Sequence, residues 1–134
     1  MESLIRWKKN PARKPLIIQG ARQVGKTWLM REFGRNHYSN TVYLNFDENR
    51  VFHDLFIPDL NVNRIIASLE YIMHTKIHKG DTLVIFDEIQ ECNRALVSLK
   101  YFCENAREYH IMAAGSFLGV ALHEDNSLFR SGIL

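Results

Sequence analysis

The chain has 134 residues, 46% hydrophobic and 24% charged, with a formal net charge of +2 at pH 7. That composition fits one soluble domain (residues 1–134) able to bury roughly two thirds of its unfolded surface, and so small a charge demands neither nucleic acid nor an anionic membrane as partner. No apolar run approaches the roughly 18 residues of a membrane span, Met1-Glu2-Ser3-Leu4 carries no export pattern, and Cys92 and Cys103 form neither a C-x-x-C pair nor a zinc set, so the expected setting is the reduced cytoplasm.

In chain order, Leu4–Lys9 reads as a short amphipathic helix closed by Asn10-Pro11. Pro15–Gln19 is a strand. It runs into Gly20-Ala-Arg-Gln-Val-Gly25-Lys26-Thr27, and Thr27–Phe33 reads as a helix stopped by Gly34. Thr41–Phe46 is rich in β-branched and aromatic residues, a second strand. Asp47–Asn61 is a longer connection whose Val51, Phe52, Leu55 and Phe56 suggest a packed helical turn or two. Val62, Ile65, Ile66, Leu69, Ile72, Met73 and Ile77 recur at helical spacing until Gly80. Leu83–Phe86 is continuously apolar, as a strand covered on both faces should be. Ala95–Ala106 sets Leu96, Leu99, Phe102 and Cys103 on one helical face, and His110–Ala114 is a fourth strand. Alternating strands and helices imply right-handed crossovers in a parallel sheet with helices on both faces.

Gly20 to Thr27 spells G-x-x-x-x-G-K-T, the phosphate-binding loop of P-loop NTPases. Its glycines admit a tight turn and close approach of backbone N–H groups to phosphate. Gly20, Ala21, Arg22, Gln23, Val24, Gly25, Lys26, Thr27 and Trp28 are therefore the candidate nucleotide-binding stretch. Lys26 would reach the β- and γ-phosphates and the Thr27 hydroxyl would ligate Mg2+. Leu83-Val-Ile-Phe-Asp87-Glu88 supplies a second motif: Asp87 for the magnesium shell and Glu88 as general base for the attacking water. Acids also follow strands simply because loops are solvated, but the pairing of the two motifs favours ATP chemistry. Ser116, beyond the fourth strand, has two readings: a polar contact to the γ-phosphate or attacking water, or a strand end capping a helix at Phe117–Leu122.

Other residues carry less. Arg6, Lys8, Lys9, Arg13 and Lys14 read as a solvated basic face, His74 and His78 as surface polarity, and the side chains of Trp7 and Trp28 as packing. Arg22 is expected to face solvent or a neighbouring acid, and Asn45 and Asp47 close the second strand on the ligand side. Arg94, Arg107 and Arg130 are candidates for a finger donated to another subunit. A GTPase reading is poor, because the chain has no N-K-x-D and Asp87 is followed by Glu-Ile-Gln.

Lys14-Pro-Leu-Ile-Ile-Gln-Gly-Ala-Arg-Gln-Val-Gly-Lys-Thr27, Tyr43-Leu-Asn-Phe46, Phe86-Asp-Glu-Ile-Gln-Glu-Cys92 and Ala114-Gly-Ser-Phe-Leu-Gly-Val-Ala121 together resemble a prokaryotic AAA-type ATPase family of the AAA+ kind. The resemblance runs from about Leu4 to His123. It implies a three-layer α/β P-loop NTPase core, with a mostly parallel sheet flanked by helices. It implies ATP and Mg2+ as cofactors, and catalytic roles for Lys26, Glu88 and Ser116. Longer members continue into a fifth strand, a lid and a C-terminal domain. This chain stops at Leu134, so it reads as the N-terminal ATPase portion with fifth strand and lid missing. Slow turnover is the expectation, with self-association through an exposed sheet edge. The alternative is a nucleotide-gated interaction module that binds without hydrolysing. The sequence leaves a protein or DNA partner undetermined.

Overall fold

A computed structural model describes residues 1–19 and 24–116. Their elements are α1 (Glu2–Lys9), β1 (Leu16–Gln19), α2 (Val24–His37), β2 (Asn40–Asn45), α3 (Val62–Met73), β3 (Thr82–Asp87), α4 (Asn93–Asn105) and β4 (His110–Gly115). Two 3₁₀ segments, Arg50–Phe56 and Ile89–Glu91, fill the connections. The strands form one parallel sheet in the order β1-β4-β3-β2. Among the described residues no helix is long and apolar enough to cross a membrane.

Strand alternation divides the core in two. Val42, Leu44, Val84, Phe86 and Ile111 face α3, α4 and the 3₁₀ segments. Leu16, Ile18, Leu83, Ile85 and Met112 face α1 and α2. Both faces of β3 are therefore covered, which is why its sequence shows no polar alternation. Phe46, Phe56, Phe86 and Phe102 fill the first layer through edge-to-face and tilted ring contacts.

Several boundaries depart from expectation. Helix α2 does not stop at Gly34 but continues to His37. A Cβ on Gly34 would lie 2.3 Å from Thr41 Oγ1 and 2.9 Å from Thr41 Cγ2, so the glycine lets α2 approach β2 closely. Because both branches of Thr41 face it, Gly34→Ala should destabilise the fold by about 1–2 kcal/mol despite alanine's better helix propensity. A lower urea midpoint with unchanged slope would be the sign. Helix α3 ends at His74, not at Gly80. His74 takes the left-handed conformation (φ 53°) and its N–H bonds Glu70 O, leaving Ile77 buried outside the helix.

Trp28 is not a packing residue, being 61% exposed, whereas Trp7 is buried and donates to Lys14 O at 2.7 Å. The basic N-terminal cluster is not wholly a solvated face either. Lys8 donates to His37 O and lies 4.4 Å over the Tyr38 ring, and Arg13 bonds the carbonyls of Lys8, Asn10 and Arg107. These contacts dock α1 against α2 and the α4–β4 connection. Arg6, Lys9, His74 and His78 are exposed.

His110, at the start of β4, is buried with its Nδ1 2.7 Å from the Tyr38 hydroxyl. Burial, with Arg13 and Lys8 nearby, pushes it down to about 4. The unfolded chain therefore takes up a proton near pH 6.5 that the folded chain refuses until about pH 4. Stability should fall as pH drops through that window and be insensitive to this group above it, as urea midpoints measured from pH 7.5 to 4 would show.

Candidate nucleotide site

The carboxyl ends of the strands finish level. Gln19 pairs with Gly115 and Asn45 with Asp87, so the start of α2, the end of β3 and the end of β4 converge on one rim of the sheet. Ligands of open α/β sheets sit on that rim. Residues 20–23 lie outside the described part, and with them Gly20, Ala21, Arg22 and Gln23. The helix start that follows them carries Lys26 and Thr27 in its first turn. No acidic residue shares that turn, leaving the helix N-terminus suited to an anion.

Thr27 Oγ1 donates to Asp87 Oδ2 at 2.6 Å, joining residues 60 positions apart. Asp87 is 4% exposed and is held from three directions. Its Oδ2 also accepts the Tyr43 hydroxyl at 2.6 Å, and its Oδ1 accepts the Glu88 N–H at 2.9 Å. Such bonds offset the cost of burying a carboxylate. Burial, then the bond to Asp87, pushes the Tyr43 phenol up to about 12, so at neutral pH it keeps its proton and donates. Asn45 Nδ2 lies 3.4 Å from the Tyr43 oxygen, while its Oδ1 accepts the N–H groups of Asp47 and Glu48 and turns the chain at the end of β2.

Glu88 adopts φ 52° and ψ 46°, the left-handed region, which costs a non-glycine residue roughly 1–2 kcal/mol. Buried Ile89 fixes the following 3₁₀ turn, so Glu88 is held at the strand end. Gln90 Nε2 donates to Glu88 Oε1 at 3.1 Å, and Gln90 Oε1 accepts the Ser116 N–H at 3.3 Å. Lys26 Nζ donates to Gly115 O at 3.3 Å, placing its ammonium beside Ser116, which is 5% exposed. Lys26, Thr27, Asp87, Glu88 and Ser116 are thus gathered on one rim. Helix Phe117–Leu122, expected after Ser116, falls outside the described residues, as does Arg130. Arg94 is bound to Phe56 O and Arg107 to Cys103 O, so both guanidinium groups are engaged within their own chain.

Two residues, Tyr43 and Gln90, fall within the quoted blocks but received no role from the sequence. Tyr43 sits inside a strand and Gln90 inside a short turn, so neither forms part of a phosphate-binding motif. The period-2 alternation of Thr41–Asn45 puts Tyr43 and Asn45 on one face, the only local sign of the former. The side chain of Trp28 opens onto a groove of about 520 Å³ between α2 and β2, which Arg31, Arg35, Thr41 and Tyr43 also line.

Thr27 and Asp87 offer two adjacent hard oxygen donors, the set magnesium uses when one carboxylate and a nucleotide's phosphates complete its shell. Among the described residues no three or more His, Cys, Asp or Glu side chains cluster as an all-protein metal cage. A phosphate-completed ion requires none.

Comparison with known proteins agrees with this geometry. The chain is 27% identical over 84 residues to the replication factor C large subunit of Methanosphaera stadtmanae, a match covering 63% of this chain and 14% of that protein. A family model described as an AAA domain matches residues 12–131. With that span covering most of its length, and with an α/β sheet bringing the first turn of α2 beside Asp87, the chain belongs to the AAA domain family of P-loop NTPases.

Proposed function

We propose that the chain is a magnesium-dependent ATP-binding core that hydrolyses the β–γ phosphoanhydride, slowly on its own. The observation that carries this reading is the 2.6 Å contact between Thr27 Oγ1 and Asp87 Oδ2. It brings the phosphate-loop helix and the acidic strand end together where one triphosphate would lie. The loop N–H groups and Lys26 bind and orient the phosphates, and Thr27 and Asp87 would hold magnesium, whose charge neutralises phosphate oxygens when it is bound. Glu88 accepts a proton from water as the water oxygen attacks the γ-phosphorus. The bond to the ADP oxygen breaks, giving ADP and inorganic phosphate. The adjacency of Ser116 to the Lys26 contact at Gly115 supports a polar role for it at the γ-phosphate end.

A second reading, a switch that binds ATP without turnover, draws support from the Gln90 amide, which already engages the Glu88 carboxylate. Calorimetric titration with ATP, with magnesium and with EDTA, beside a phosphate-release assay, separates the two. Hydrolysis requires magnesium-enhanced binding and phosphate above the buffer blank. Binding with no phosphate favours the switch, and no binding ends both.

A further inference from the structure

We propose that Tyr43 is a positioning residue for the Asp87 carboxylate and sets how strongly the site takes its divalent ion, an inference that rests on the nucleotide reading above. Tyr43 stands on β2 opposite Ile85, and Asn45 stands opposite Asp87. Tyr43 and Asp87 are therefore diagonal neighbours on the α2 face, within reach of a long aromatic side chain. The phenol and the Thr27 hydroxyl meet the same Asp87 oxygen, each at 2.6 Å. The terminal torsion of an aspartate is soft, so its carboxylate plane is set by hydrogen bonds. Glu88 N–H holds one oxygen; Tyr43 and Thr27 hold the other.

If Thr27 turns toward a metal ion, Tyr43 is the donor that keeps Oδ2 in place. The ring is itself fixed. The Arg31 guanidinium lies 4.4 Å above its centroid, and Asn45 bonds its oxygen. Outer partners of this kind typically account for about 10–100-fold in metal affinity.

Phenylalanine keeps the ring, its burial and the Arg31 stacking, so Tyr43→Phe removes the hydroxyl alone. The test measures the Kd for ATP of the whole chain in EDTA and across a magnesium series, with a melting curve for each protein. Tyr43→Phe should leave the EDTA Kd within about twofold and raise the magnesium concentration giving half-maximal enhancement by about 10-fold. The exposed Arg31→Ala, in which the ring loses its stacked cation, should shift it the same way by less, and it carries the test if Tyr43→Phe fails to fold. A magnesium requirement matching wild type in both variants overturns the role of Tyr43 while leaving the nucleotide reading intact. So does a loss of affinity in Tyr43→Phe equal in EDTA and in magnesium. A wild-type chain that binds ATP with no magnesium dependence overturns both.

Discussion

Glu88→Gln should bind ATP with a Kd within about threefold of wild type while its turnover falls about 10²–10⁴-fold, the usual contribution of a positioned general base. The substitution nearly conserves volume, and the left-handed backbone at residue 88 is imposed by the turn and buried Ile89, so the strain is the same in both proteins. What changes is the ability to take a proton. The Gln90 amide can still meet the oxygen of the new side chain, so the link to Ser116 N–H survives. Single-turnover phosphate release, measured with saturating ATP and magnesium, gives the answer. Turnover equal to wild type would remove Glu88 from the mechanism. Loss of binding would instead make it a structural support of the rim.

Lys26→Ala should raise the Kd for ATP by about 10–100-fold, because a hydrogen bond to a charged group contributes about 1.5–3 kcal/mol and each 1.4 kcal/mol is tenfold. Lys26 is half-buried in the first turn of α2 and donates to Gly115 O, so the loss of that bond, partly offset by alanine's helix propensity, should lower the ligand-free melting temperature modestly. Saturating ATP should then raise the melting temperature of wild type by more than that of the variant at the same concentration. Unchanged affinity in Lys26→Ala would mean that the triphosphate does not lie along this helix start.

The parts of the fold governed by local pattern could be read directly. Leu83–Phe86 announced a strand buried on both faces, and Leu96, Leu99, Phe102 and Cys103 are indeed the buried face of α4. Gly34 misled because a glycine that ends a helix and one that lets a helix approach a strand look alike without Thr41 in view. The end of α3 misled for a related reason, since His74 takes the left-handed turn that glycine favours. Lys26, Thr27, Asp87 and Glu88, which the structure gathers on one rim, could be singled out because their spacing reflects backbone chemistry within single segments. Tyr43 and Gln90 could not. The role of Tyr43 depends on the register of β2 against β3, and that of Gln90 on how far β4 runs beside the turn at Ile89. Neither is written in one stretch of sequence.

Strand β1 pairs, among the described residues, only with β4. During synthesis Leu16–Gln19 leaves the ribosome well before His110–Gly115, its strand partner among the described residues. Strands β2 and β3, with α3 between them, can dock first, so the rim that joins Lys26 to Gly115 is assembled late, and such distant parallel pairings are slow to close. A nascent chain arrested before residue 110 should accordingly show no ATP affinity however long it is given to mature.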